Sequence, residues 1–124
     1  MKIICMDDTQ RETEALRKRA QDVVPDAQIR TCRTPDEAVQ TAKAEGCDVL
    51  LTEIDLGRNG TGGILAAERI KQINPKVNII FVTVCSEYEH AARLLPMRIS
   101  GYITKPYQTE TLSHELHHLL YAVS

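Results

Sequence analysis

A chain of 124 residues, 43% apolar and 26% charged, is sized and composed for one globular domain with one core, spanning residues 1–124. Its net charge of −2 argues against a basic nucleic-acid-binding surface, and one Phe with no Trp offers no platform for stacking bases. No apolar run approaches the roughly 20 residues needed to span a bilayer, and no signal-like segment opens the chain, so a cytoplasmic protein with no membrane partner is expected.

The first apolar run, Lys2-Ile3-Ile4-Cys5-Met6, reads as a strand and ends in Asp7-Asp8. Residues 9–24 read as a helix, with Thr9 as its cap and Glu12 three residues on, as in a capping box; Pro25-Asp26 ends it. Residues 27–32 form a short second strand. Thr34-Pro35-Asp36-Glu37 is a helix start, with a cap residue, a first-turn proline and acids near the positive end of the helix dipole; that helix runs to 45 and stops at Gly46. The third strand, 48–53, leads through Glu53-Ile54-Asp55 into the polar loop Leu56-Gly57-Arg58-Asn59-Gly60-Thr61-Gly62. A third helix covers 63–73, with Ile64, Ala67 and Ile70 on one face, and Asn74-Pro75 breaks it. A fourth strand, 77–83, ends in Thr83. A short helix over 87–95 leads to a fifth strand, 99–104, which ends in Lys105-Pro106; an X-Pro bond is one of the few that adopt the cis form. The last helix covers 109–122.

Strands three and four are nearly continuous apolar runs, as expected of strands covered on both faces. Helix-length connections between them imply right-handed parallel crossovers. The expected fold is α/β: a flavodoxin-like, doubly wound, five-stranded parallel sheet of order 2-1-3-4-5, a (βα)5 unit, with its crevice between strands one and three. Asp7-Asp8, Glu53, Thr83 and Lys105 then converge on one carboxyl edge. Crowded carboxylates repel one another unless a cation neutralises them, and the oxygen-rich set Asp7, Asp8 and Glu53 suits Mg2+. A lysine at a strand end can reach a phosphoryl oxygen as a point charge, and Thr83 can donate its hydroxyl to the same oxygen.

These residues resemble the receiver domain of bacterial two-component response regulators over essentially the entire chain. The resemblance is carried by Asp7-Asp8, by Thr-Glu-Ile-Asp-Leu after strand three, by Phe-Val-Thr at the end of strand four and by Gly101-Tyr102-Ile103-Thr104-Lys105-Pro106-Tyr107. Gly-Tyr-x-x-Lys-Pro and Ser86-Glu87-Tyr88 look most like receivers that precede a DNA-binding output domain of LytTR type. The resemblance implies a signalling module rather than an enzyme. It implies Mg2+ held by Asp7, Asp8, the residue at position 53 and the backbone carbonyl of Asp55. It implies Thr83 and Lys105 on the phosphoryl group, with Thr83 and Tyr102 as the switch. It further implies a sensor histidine kinase or phosphotransfer protein as partner, and a homodimer through helix 4, strand 5 and helix 5.

One departure bears on all of this. The family's phosphoacceptor is Asp, and this chain has Glu53. In-line attack needs a carboxylate oxygen placed against both phosphorus and metal. One extra methylene displaces it by about 1.5 Å, and a misplacement near 1 Å costs ~10²-fold. Three readings follow: Glu53 imitates the phosphorylated state in a pseudo-receiver; the domain is a non-switching dimerisation or docking module; or Glu53 or Asp55 is phosphorylated after all. A Mg2+-dependent phosphotransfer protein of the same architecture is the enzyme alternative. The loop glycines predict a flexible segment after strand three and do not complete a P-loop. His114 and His118 share a helix face without a third ligand, and Cys5, Cys32, Cys47 and Cys85 read as buried reduced thiols.

Overall fold

The computed structural model describes residues 1–57 and 60–121; the expectations for Arg58, Asn59 and Ala122 lie outside the described residues. Strands β1 (Lys2–Met6), β2 (Gln28–Cys32), β3 (Val49–Thr52), β4 (Asn78–Thr83) and β5 (Gly101–Thr104) alternate with helices α1 (Gln10–Val23), α2 (Pro35–Glu45), α3 (Gly62–Ile73), α4 (Glu89–Arg93) and α5 (Thr109–Tyr121). All strand pairs are parallel and the order is β2-β1-β3-β4-β5, the doubly wound sheet expected from the sequence.

Two apolar layers bury the sheet. On one face Ile4, Leu50, Ile79 and Phe81 pack under α2, α3 and α4 through Val39, Ala67, Ile70 and Ala92. On the other Ile3, Leu51, Ile80, Val82 and Ile103 pack under α1 and α5 through Leu16, Ala20, Leu112 and Leu116. Adjacent strand residues point to opposite faces, so strands buried on both must be apolar throughout.

The helix starts follow their caps. Thr9 and Thr34 each accept a backbone N–H three residues on, from Glu12 and Glu37, at 3.1 Å in both cases. The capping box of α1 is half made, because the Glu12 side chain reaches towards Lys105 instead of back to Thr9.

Two elements differ from expectation. The fourth helix is only Glu89–Arg93, preceded by a 3₁₀ turn at Ser86–Tyr88. No side chain caps either start, and Leu94 and Leu95 already donate three residues back, to Ala91 and Ala92, before Pro96. The fifth strand begins at Gly101 rather than 99 because Arg98 turns at φ 57 and takes the chain out of extended geometry. Ser100 N–H still pairs with the Ile79 carbonyl at 2.7 Å.

Cys5, Cys32 and Cys47 are buried and Cys85 is half-buried; all are free thiols. Burial pushes Cys47 up to about 12 and raises Cys5 and Cys32 above the ordinary thiol value. A thiol-disulfide reagent such as DTNB is therefore expected to titrate one thiol, Cys85, in the native protein and all four only in denaturant. Rapid native reaction of two or more would contradict the packing of β1, β2 and α2. Among the described residues no helix is long and apolar enough to cross a membrane.

Candidate functional site

Register decides what meets at the carboxyl edge. Thr52, the last residue of β3, pairs with Met6 on one side and Phe81 on the other. Asp7 and Glu53 therefore leave the sheet side by side, and Glu53 N–H donates to the Met6 carbonyl at 3.1 Å. Strand β4 continues past Phe81 to Thr83, which pairs with Thr104 of β5. Val84 and Lys105 thus overhang the end of β3 from one side. Lys105 N–H bonds the Thr83 carbonyl at 2.7 Å, and the Lys105–Pro106 peptide is cis.

Lys105 is the hub. Its Nζ lies 2.6 Å from Asp7 Oδ2, 3.3 Å from Glu53 Oε2 and 3.6 Å from Glu12 Oε2. The Asp7 and Glu53 residues are only 3% and 4% exposed, so the pairing is a low-dielectric one in which both charges need partners. Desolvation alone would lower the lysine pKa; Asp7 and then Glu53 outweigh it and hold Lys105 above its ordinary value.

The carboxylates are otherwise held by the backbone. Asp7 Oδ1 accepts Asp8 N–H at 2.7 Å. Glu53 Oε1 accepts Ile54 N–H at 2.8 Å and Asp55 N–H at 3.3 Å, and Glu53 Oε2 accepts Val84 N–H at 3.3 Å. The Glu53 side chain thus spans a pocket of three backbone donors and one ammonium, an arrangement that binds an anionic oxygen group.

Asp8 is exposed and contributes its N–H, not its carboxylate, to the cluster. Asp55 is exposed next to Gly60. Thr83 is fully buried, and its hydroxyl oxygen accepts Cys85 N–H at 3.1 Å. Tyr102 is buried; its hydroxyl donates to the Cys85 carbonyl and its ring meets Phe81 edge-on with centroids 6.2 Å apart. Burial pushes the Tyr102 phenol up to about 12. The loop after β3 is pinned rather than loose over its described residues: Leu56 is buried, and Gly62 and Gly63 donate to the Leu56 and Ile54 carbonyls at 2.9 and 3.1 Å.

Among the described residues no three His, Cys, Asp or Glu side chains form a set that could hold a metal ion. Lys105 Nζ stands between the Asp7 and Glu53 carboxylates, each of their side-chain oxygens accepts a donor, and among the described residues no buried side-chain oxygen is left unpartnered. As arranged, the acidic residues do not fit Mg2+, which demands oxygen ligands near octahedral positions. His114 and His118 stack at 6.5 Å between ring centroids, and among the described residues no third ligand stands beside them.

Two contributors escaped the sequence. The Val84 N–H carries no side-chain signal and is placed only by how far β4 overruns β3. Glu12 was legible as a cap residue, which is why its second position near Lys105 was not. Beside the cluster, a cavity of about 490 Å³ opens between α1 and the segment after β5, lined by Asp7, Glu12, Arg19, Lys105 and Tyr107. There the Arg19 guanidinium sits 4.7 Å over the Tyr107 ring.

The family model described as "Response regulator receiver domain" matches residues 3–117. Response regulator GacA of Pseudomonas viridiflava is 31% identical over 70 residues, covering 56% of this chain and 32% of that protein. Response regulator UvrY of Escherichia coli O157:H7 is 25% identical over 103 residues, covering 83% of this chain and 46% of that protein. The chain thus spans a third to a half of the length of these relatives. The crystal structure of response regulator TrrA from Thermotoga maritima, in complex with Mg(2+)-BeF, superposes with a TM-score of 0.78 at 21% identity, covering 95% of this chain and 97% of that one.

Proposed function

This chain belongs to the response regulator receiver domain family, and on that premise we propose that it is a pseudo-receiver, in which Glu53 fills the phosphoryl position from within. The observation that carries this reading is the reach of Glu53. Its Oε2 meets both the Val84 N–H and Lys105 at 3.3 Å while Oε1 holds the Ile54 and Asp55 amides. Those donors would otherwise be free to bind an incoming anionic group. A shorter carboxylate would leave the far donors unmet. Tyr102 supports the same reading: it is buried and bonded to the Cys85 carbonyl, the inward placement that goes with activation.

On this reading the input from a sensor histidine kinase or phosphotransfer protein is bypassed, and the domain acts on an output domain or partner. Gly101-Tyr102 with Lys105-Pro106, and Ser86-Glu87-Tyr88, support a LytTR-type DNA-binding output; the relatives' names, GacA and UvrY, add no support to that choice. A homodimer through α4, β5 and α5 is the assembly it favours, with Tyr88 and Leu94 exposed on that face.

Intact-protein mass after incubation with acetyl phosphate and Mg2+ tests the proposal beside Glu53→Asp. The parent is expected to stay unmodified and Glu53→Asp to gain one labile phosphoryl group. A phosphorylated parent overturns the pseudo-receiver reading in favour of a working switch. If neither chain is modified, the docking-module reading replaces it.

A further inference from the structure

We propose that the Lys105 ammonium is the resident cation of this acidic cluster, and that the domain neither needs nor recruits a divalent ion. The inference rests on the reading of Glu53 as an internal ligand and concerns how that site is neutralised.

Three observations carry it. First, Lys105 Nζ already occupies the place between the carboxylates, at 2.6 Å from Asp7 Oδ2 and 3.3 Å from Glu53 Oε2. Second, the other two oxygens, Asp7 Oδ1 and Glu53 Oε1, are held by backbone N–H groups at 2.7 and 2.8 Å. A carboxylate oxygen that accepts one N–H keeps a second lone pair, so it is the ammonium between the carboxylates, not the amides, that a hard dication would have to displace. Third, Asp8 and Asp55, the acids that flank the cluster through their backbone N–H groups, are both exposed, and exposed carboxylates compete poorly with the hydration of Mg2+.

Displacing the ammonium does not remove it. Lys105 is tethered at the end of β5 by its own N–H on Thr83. A dication beside Asp7 would face that charge a few ångströms away, in a site where like charges repel strongly. Ammonium and backbone dipoles together therefore do the work that a metal does in an open acidic cleft.

The consequence is read as a melting-temperature response. The parent chain is expected to melt at the same temperature in chelator and in millimolar Mg2+. Lys105→Met removes the ammonium at nearly constant shape and leaves two carboxylates facing a vacated space. It is expected to show a saturable rise of roughly 3–6 °C with Mg2+. A saturable rise in the parent overturns the proposal, and so does a Lys105→Met chain no more responsive than the parent. Should that variant not fold, Mn2+ titration of the parent by water-proton relaxation decides alone: no saturable binding below millimolar supports the proposal, and tight binding overturns it. A parent that binds Mg2+ yet resists acetyl phosphate sinks this inference and spares the pseudo-receiver reading; a parent phosphorylated with Mg2+ sinks both.

Discussion

Replacing Gly63 by alanine is expected to destabilise the fold by at least about 4 kcal/mol, among the largest effects a single methyl group produces. A Cβ there would lie 1.9 Å from the Glu53 carbonyl oxygen and 2.8 Å from Ile54 Cα. Both are backbone atoms, so no side chain can swing aside. The first turn of α3 would have to lift off the end of β3, breaking the Gly63 N–H bond to the Ile54 carbonyl and unseating the peptide that positions Glu53. Gly57 supplies the contrast. It needs φ 76 but has nothing within 4 Å of its would-be Cβ, so Gly57→Ala is expected to cost only about 1 kcal/mol, the ordinary left-handed penalty. Urea unfolding followed by circular dichroism measures both. A Gly63→Ala midpoint within about 0.5 kcal/mol of the parent would disprove the close approach of α3 to Glu53.

The second large effect belongs to Lys105→Met in the absence of divalent ions. Removing one partner of a buried ion pair leaves an uncompensated charge, and about 3 kcal/mol is the expected loss. Among the described residues Asp7 pairs with no second cation, and Glu53 keeps only its amides. The sign with pH follows from the direction of the lysine shift. The folded-state pKa of Lys105 is raised above its ordinary 10.5, so its contribution is fully present below that value and is lost as pH rises through the folded-state pKa. Parent and variant are therefore expected to differ near neutrality and to converge in strong alkali. Urea midpoints measured across that range check it; a constant gap, or no gap at neutrality, would count against the ion cluster as described.

The sequence made the sheet legible because its strands are of the doubly covered kind. Val49-Leu50-Leu51 and Ile79-Ile80-Phe81-Val82 have no polar face to offer, and the two threonine caps mark α1 and α2 sharply. The edge residues Asp7, Glu53, Thr83 and Lys105 follow once the strands are aligned. Two features lay beyond that logic. The short α4 and the late start of β5 depend on competition between nearly equal local geometries, settled by Pro96 and by Arg98 at positive φ. The partnering of Glu53 depends on main-chain N–H groups, which every residue but proline carries and which no composition betrays. Lys105 was visible as a cation for a phosphoryl group; its hold on Asp7 was visible only from the distance.

The stagger of the strand ends makes position 53 a gauge of length. Strands β4 and β5 project beyond Thr52 like an eave, and the far donors under it, Val84 N–H and Lys105, stand at a fixed overhang from the Cα of residue 53. A side chain either spans that overhang or falls short, and the difference between Glu and Asp is one methylene, about 1.5 Å. The same sheet would therefore serve as a socket awaiting a plug or as a socket already plugged. Which it is depends on the reach of one residue, while core, crossovers and edge charges stay unchanged. Moving between the two is a single-codon step.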